Sequence, residues 1–354
     1  MDTQQDLLYR VGKPLLEWYD VHRRRLPWRE DVSPYRTWVS EIMLQQTRVA
    51  AVIPYFERFM ATFPTVRSLA EGDPEQLMKL WEGLGYYSRA RNLQKAARII
   101  MDRHGGEFPC TYEELTALPG IGDYTAGAIL SIAFGEKIPA VDGNAMRIVS
   151  RLIGSDENIL EPAVKKKFRA LLAMSMLSCR PGAFNQALMD LGATVCLPGG
   201  EPLCGECPCR GFCTACLQGR QRELPVRIGR TKRRVEEKTV FLLLRCGEAA
   251  LRQRPADGLL AGLWEYPNVE GVLDEAAAAA QLRSWNVVPH RWIKRMTGHH
   301  IFTHIRWEMT GYVVEVSGTG QPDWLWADRR ERARRAVPSA FIKWTKELPE
   351  DKDV

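Results

Sequence analysis

Up to residue 225 the apolar positions recur three and four apart, the spacing that gathers them on one face of a helix, and start signals open several of the runs. Ser33-Pro34 offers an N-cap followed by a first helical residue, and Thr111-Tyr-Glu-Glu114 has the spacing of a capping box. Gly83-Leu-Gly85 and Gly105-Gly106 punctuate the runs, and neither an internal repeat nor a low-complexity tract is visible. This part of the chain is predicted to be all-α.

From Arg227 to Lys238 the apolar face disappears in a charged stretch, read as a linker over 226–236. Beyond it the period changes. Thr239 to Leu244 is a short apolar run, and His300 to Thr310 alternates so as to place Ile301, Ile305, Trp307 and Met309 on one face of a strand. Asp274-Glu275 before the alanines 276–280 reads as a helix start. A smaller α+β domain is therefore expected over 237–354.

The length of 354 residues agrees with two or three domains at roughly 150 residues each. With 45% hydrophobic and 26% charged residues, ample apolar material exists for cores and wholesale disorder is excluded. The balance of 49 Lys+Arg against 43 Asp+Glu, a net charge of +6, permits an anionic partner without the strong basic signature of a dedicated nucleic-acid module. No uncharged stretch approaches the roughly 18 apolar residues of a membrane span, and the first residues lack the basic cap and apolar run of an export signal. A soluble, intracellular protein with no membrane partner is expected, monomeric by default.

Six of the nine cysteines crowd between Cys196 and Cys216. A disulfide framework would spread its cysteines through a small secreted domain, so the crowding points to a metal. Cys196, Cys204, Cys207 and Cys213, separated by seven, two and five residues, form a compact set of soft thiolate donors for an iron–sulfur cluster or zinc. Pairing Cys204/Cys207 with Cys213/Cys216 would suit zinc, but only five residues part the pairs, against roughly 15 to 20 in zinc ribbons, so iron is favoured.

Leu118-Pro-Gly-Ile-Gly122 lies between a capped helical segment and the apolar-periodic Tyr124 to Phe134. Gly120 and Gly122 would let backbone N–H groups approach a DNA phosphate; a plain turn is the alternative. Two carboxylates stand out. Glu41 is flanked by Trp38 and Ile42, which would raise its pKa, and Asp142 sits in a Val-Asp-Gly-Asn turn placed after a helix. Each alone reads as a solvated charge or a cap; paired across a cleft, a protonated acid and an ionised carboxylate can cleave a glycosidic bond.

Leu26-Pro-Trp-Arg29, Glu41-Ile-Met-Leu-Gln-Gln-Thr47, Gly83-Leu-Gly-Tyr-Tyr87, Leu118-Pro-Gly-Ile-Gly122 and Val141-Asp-Gly-Asn144 occur in order before the cysteines. In these motifs the chain closely resembles the MutY family of adenine DNA glycosylases, over nearly its whole length. The resemblance implies a helix-hairpin-helix glycosylase domain over 1–225 with a cluster loop at 196–213, and a MutT-like (Nudix-like) domain after the linker. It implies base excision repair in the cytoplasm, at the nucleoid: flipping and removal of adenine mispaired with 8-oxoguanine or guanine in duplex DNA, and one [4Fe–4S] cluster on Cys196, Cys204, Cys207 and Cys213 that orders a DNA-contacting loop. The enzyme would be essentially monofunctional.

Carried over residue by residue, Glu41 would be the general acid and Asp142 the stabiliser of the sugar cation, with Tyr124 and Asn144 supporting them in the pocket. For the last two, core and turn roles stand beside catalysis. Gln45 and Tyr86 would insert around the displaced nucleotide, Arg29 would face the pocket, and Arg210 and Arg220 would contact phosphates unless they are solvated charges. Seven residues separate Cys196 from Cys204 where the family usually has six, and Cys209 and Cys216 are additional thiols. In the second domain Phe302-Thr303-His304 resembles the segment that touches the oxidised guanine, with strand packing as the alternative. Gly262-Leu-Trp-Glu-Tyr-Pro267 resembles the start of a Nudix segment, but the following Ala276 to Val288 lacks the carboxylates that hold magnesium, so nucleotide hydrolysis is not expected.

Two other readings share parts of this pattern. An endonuclease III-like glycosylase for oxidised pyrimidines places a nucleophilic lysine where this chain has Tyr124. A non-catalytic iron–sulfur DNA-binding protein would need neither Glu41 nor Asp142.

Overall fold

The computed structural model describes residues 3–176, 180–229 and 233–348. These divide into two compact units, one formed by Met1–Glu71 and Asn92–Gly229, the other by Gly72–Arg91 and Arg230–Val354. Residues 230–232 of the charged stretch read as a linker lie outside the described residues.

In its described residues the first unit is helical, and its start signals act as the sequence suggests. Ser33 caps the helix Pro34–Leu44 by accepting from the Arg36 amide. Thr111 caps Tyr112–Thr116 and donates its hydroxyl to Glu114 at 2.7 Å. Apolar residues bury in two places. The helix Pro34–Leu44 packs on Val49–Thr62 and Asp123–Ala133, placing Trp38, Val39, Met43, Phe56 and Phe59 out of contact with water. The long helix Thr3–His22 packs on Gly143–Ile153, Pro162–Ser175 and Pro181–Thr194 through Leu8, Val11, Leu15 and Tyr19. The turn Leu118–Gly122 joins Tyr112–Thr116 to Asp123–Ala133, giving the helix-hairpin-helix.

The second unit holds a mixed sheet of β1 (Arg234–Arg245), β2 (Glu248–Gln253), β3 (Trp264–Glu265), β4 (Asn268–Glu270), β5 (Val287–Ile301), β6 (Ile305–Gly318) and β7 (Trp324–Ala327). β1 lies at its centre, parallel to β6 along one edge and antiparallel to β2 and β4 along the other. Both faces of β1 are covered, which is why Thr239 to Leu244 is a continuous apolar run. Phe241 and Leu243 pack on Ala278 and Leu282 of the helix Glu275–Ser284, while Val240, Leu242 and Leu244 meet Phe341 and Trp344 on the other side. Asp274 caps that first helix as the sequence suggests.

The single strand read through His300 to Thr310 needs correction. β5 ends at Ile301, Phe302 to His304 turn the chain, and β6 starts at Ile305. Ile305, Trp307 and Met309 share the core face, whereas Ile301 pairs across the hairpin with Arg306 and is exposed. Among the described residues no helix is long and apolar enough to cross a membrane.

Candidate active site

A cavity in the first unit is bordered by Arg29, Glu41, Tyr124, Asp142 and Asn144, five of the residues singled out from sequence. Glu41 stands on a helix buried nearly all round, its own Tyr35, Thr37, Trp38, Val39, Ser40, Ile42 and Met43 all enclosed. Only 5% exposed, its carboxyl is pushed up to about 7, chiefly by burial and further by the Asp142 charge, while Tyr124 and Arg29 oppose the shift. Tyr124, in the first turn after the hairpin, donates its hydroxyl to Glu41 Oε2 at 2.7 Å. That phenol is itself held protonated by burial and by the Glu41 and Asp142 charges. A carboxyl that is part acid, part base near neutrality is what proton transfer to a leaving group requires.

Asp142 follows the helix Asp123–Ala133, as its turn suggests, and opens the next one. It is the N-cap of Gly143–Ile153, and its Oδ1 accepts from the Ala145 amide at 2.8 Å. Its Oδ2 accepts from Asn144 Nδ2 at 2.8 Å, so Asn144 serves the carboxylate rather than the turn alone. Burial raises the Asp142 pKa and these bonds work against the rise. Asn144 Oδ1 accepts in turn from Arg147 Nη2 at 2.9 Å, and Arg147 Nε donates to the Cys196 carbonyl at 2.9 Å, a chain of bonds from the carboxylate to the first cysteine of the cluster loop.

Arg29 is fixed by a partner that sequence reasoning missed. Its guanidinium forks onto Asp190 at 2.8 and 3.0 Å, and Arg24 Nε binds the same carboxylate at 2.7 Å. Asp190 is 1% exposed; burial works against its charge, but Arg29 and Arg24 hold its pKa below the usual carboxylate range. Arg147 was missed as well. On sequence alone an acid or an arginine within a helix reads as a solvated charge.

Gln45 is not at this cavity. It ends the helix that carries Glu41, and its Nε2 donates to Thr125 Oγ1 at 3.4 Å. In the hairpin Gly120 has φ +81°, and a Cβ there would stand 2.9 Å from the Asn92 Cβ, so the turn demands glycine twice over. At Gly122 φ is −100° and a Cβ would meet open space, which leaves the amide end of Asp123–Ala133 uncovered.

In the second unit Tyr86 sits at φ +48° in a loop clamped by Arg89, which donates to the Leu84 and Gly85 carbonyls and lies over the Tyr86 ring. The Tyr86 hydroxyl shares a hydrogen bond of 3.0 Å with Thr303 Oγ1. Phe302 packs edge-on between His300 and Trp307, and Thr303 and His304 are exposed at the hairpin tip.

Cys196, Cys204, Cys207, Cys213 and Cys216 border a second cavity in the first unit, where Arg151 Nη1 donates to Cys196 Sγ at 3.2 Å. Cys209 does not border it; fully buried, it belongs to the helical core. Among the described residues no three donors are close enough for a single metal ion, as zinc would need with Zn–S near ~2.3 Å. Thiols set around a shared space fit a larger sulfur-liganded group. Arg210 borders the same cavity, whereas Arg220 is paired with Asp156 and Glu223.

A model of HhH-GPD superfamily base excision DNA repair proteins matches residues 39–174, and a NUDIX domain model matches 239–347. The human adenine DNA glycosylase is 36% identical, over 93% of this chain and 72% of the human protein. The chain belongs to the adenine DNA glycosylase family. The adenine DNA glycosylase of Buchnera aphidicola subsp. Schizaphis graminum is 37% identical over 67% of this chain and 68% of its own length. A solved thermostable thymine-DNA glycosylase superposes with a TM-score of 0.55 at 26% identity, covering 61% of this chain and 100% of that one.

As an adenine DNA glycosylase family member the chain is a DNA N-glycosylase of base excision repair, and DNA is its partner. The helical helix-hairpin-helix domain and the smaller α+β domain read from sequence are both present, the second built on a mixed sheet. In the Nudix-like unit the helix Glu275–Ser284 carries Glu275 as its one carboxylate.

Proposed function

We propose that the protein removes adenine paired with 8-oxoguanine or guanine from duplex DNA, in an essentially monofunctional reaction, with Glu41 and Asp142 as the catalytic pair. The observation that carries this is the Glu41 carboxyl, buried, hydrogen-bonded by Tyr124 and raised to about 7, at the same cavity as the capped Asp142. A flipped adenine would enter the cavity, and protonated Glu41 would give its proton to the imidazole side of the base. The C1′–N9 bond then breaks with its electron pair leaving on the neutralised adenine. Asp142, its negative charge held by the Ala145 amide and Asn144, faces the sugar cation; Glu41, now a carboxylate, takes the proton of the attacking water.

Arg29, held by Asp190, would border the base. Gly120 and Gly122 would present backbone amides to a phosphate, while Gln45 and Tyr86 would occupy the space around the displaced nucleotide. Phe302, Thr303 and His304 would read the opposite base. The helical domain over 1–225, less residues 72–91 that pack with the second unit, and the second domain, whose first strand begins at Arg234, would serve this division of labour. Cys196, Cys204, Cys207 and Cys213 would hold one [4Fe–4S] cluster. When bound it supplies order to the loop 196–213 and no step of base excision.

Single-turnover release of base from duplexes carrying adenine opposite 8-oxoguanine, guanine or thymine, and from one with an oxidised pyrimidine, tests the reading. Adenine release opposite 8-oxoguanine and guanine is expected. Release of the pyrimidine would overturn it in favour of endonuclease III-like specificity, and binding without release would make the chain a sensor.

A further inference from the structure

A four-iron cluster needs four thiolates, and five cysteine side chains border the cavity proposed to hold it. The surplus thiol is Cys216. It stands on the one-turn helix Thr214–Leu217, three residues after Cys213, which is that helix's N-cap. Its thiol is in hydrogen-bonding contact with that of Cys204. The other additional cysteine, Cys209, is in contact with Cys207 but is buried in the helical core and does not reach the cavity.

The ligand next to Cys216 is also the one that ends the longest interval between proposed ligands, seven residues against two and five. Cys196 is fixed by Arg151, and its amide donates to the Leu191 carbonyl at 2.7 Å. Cys204 follows a seven-residue segment in which Gly199 and Gly200 both take positive φ, +68° and +67°, with nothing within 4 Å of either Cβ position. Leu203 then donates its amide to the Val195 carbonyl at 2.9 Å, so the two glycines are where this arm can rearrange.

We propose that Cys216 is an alternate cluster ligand that replaces Cys204 on its iron. The exchange breaks one iron–sulfur bond and forms another: the Cys216 thiol releases its proton as it binds, the freed Cys204 thiolate takes one up, and no electron is transferred. The consequence is a cluster that survives loss of the Cys204 ligand. The inference rests on the cluster reading above.

Iron and acid-labile sulfide per chain, with the visible charge-transfer absorption, are measured for wild type, Cys216→Ser, Cys204→Ser and the double variant. Wild type and Cys216→Ser are expected to be equally loaded. Cys204→Ser should keep more than half of the wild-type iron and the double variant less than about a tenth. Loss from Cys204→Ser as complete as from the double variant, or equal retention by both, overturns the proposal. Should Cys204→Ser fail to fold, alkylation of the wild-type holoprotein read by mass spectrometry decides instead. Exchange predicts modification at Cys204 as well as Cys216 while Cys196, Cys207 and Cys213 stay protected; protection of Cys204 equal to theirs overturns it. A wild-type chain without iron overturns the cluster reading itself, whereas loaded wild type with an empty Cys204→Ser overturns this inference alone.

Discussion

The hydrogen bond from Tyr124 to Glu41 sets a pH at which the acid works, and Tyr124→Phe should move it. At 2.7 Å the phenol donates to Glu41 Oε2 and favours the carboxylate, against the burial that holds the pKa at about 7. A hydrogen bond to a charged acceptor contributes about 1.5 to 3 kcal/mol, and 1.36 kcal/mol corresponds to one pKa unit, so its removal raises the acid by about one to two units. The sign follows from the working form. As the proposed acid Glu41 would donate a proton, so wild-type excision should fall as pH rises through about 7, and the variant should hold its plateau about one to two units further. The assay is single-turnover adenine release from an A:8-oxoguanine duplex over a pH series, with saturating enzyme so that binding does not enter. An alkaline limb that stays in place or moves down would refute the account of Glu41 as an acid restrained by Tyr124.

Glu41→Gln should abolish excision while leaving duplex affinity within about twofold, because it removes a proton and little volume; near-normal turnover would refute the assignment. The same variant should alter stability in a pH-dependent way. A native pKa of about 7 against 4.5 unfolded means the stabilisation from protonated Glu41 is complete below about 4.5 and lost as pH rises through 7, about 3 kcal/mol in all. Glutamine escapes that loss, so its Tm relative to wild type should be higher at pH 8 than at pH 4.5, as thermal unfolding would reveal. Asp190→Ala strands Arg29 beside a buried vacancy and should destabilise by about 3 to 5 kcal/mol in urea unfolding; a change within the noise would mean the pair contributes nothing. Thr303→Val removes the hydrogen bond between Thr303 and the Tyr86 hydroxyl and should lower the preference for 8-oxoguanine over guanine about fivefold with excision opposite guanine retained, measured as the ratio of single-turnover rates. An unchanged ratio would remove Thr303 from lesion reading.

Much of the site was legible because its residues sit in short contiguous motifs. Glu41 lies in an apolar helical segment, and burial of that segment is what perturbs it; Asp142 lies where a turn becomes a helix, and capping is what fixes it. Asp190 and Arg147 were not legible, since each is a charge within a helical run and only the packed helices turn it inward. The hairpin Phe302 to His304 was hidden for a different reason. It carries no glycine, asparagine or proline, so the alternation of β5 passes into that of β6 without a break.

The hardest feature to read was the allegiance of residues 72–91, whose pattern is helical and continuous with its neighbours. They fold with the second unit because of pairs more than 250 residues apart: the Val337 amide donates to Glu82 at 2.8 Å, and Arg335 is paired with Glu75. Tyr86 is therefore supported by the same unit that carries Thr303. Deleting the chain after residue 236, the natural design from sequence, would remove Phe302 to His304 and at the same time the partners of Glu75, Glu82 and Tyr86. Loss of discrimination in that truncation follows equally from a missing lesion reader and from a Tyr86 loop without support. A single side chain at the hairpin tip separates the two, since Thr303→Val leaves Glu75 and Glu82 paired while breaking the hydrogen bond between the Tyr86 hydroxyl and Thr303.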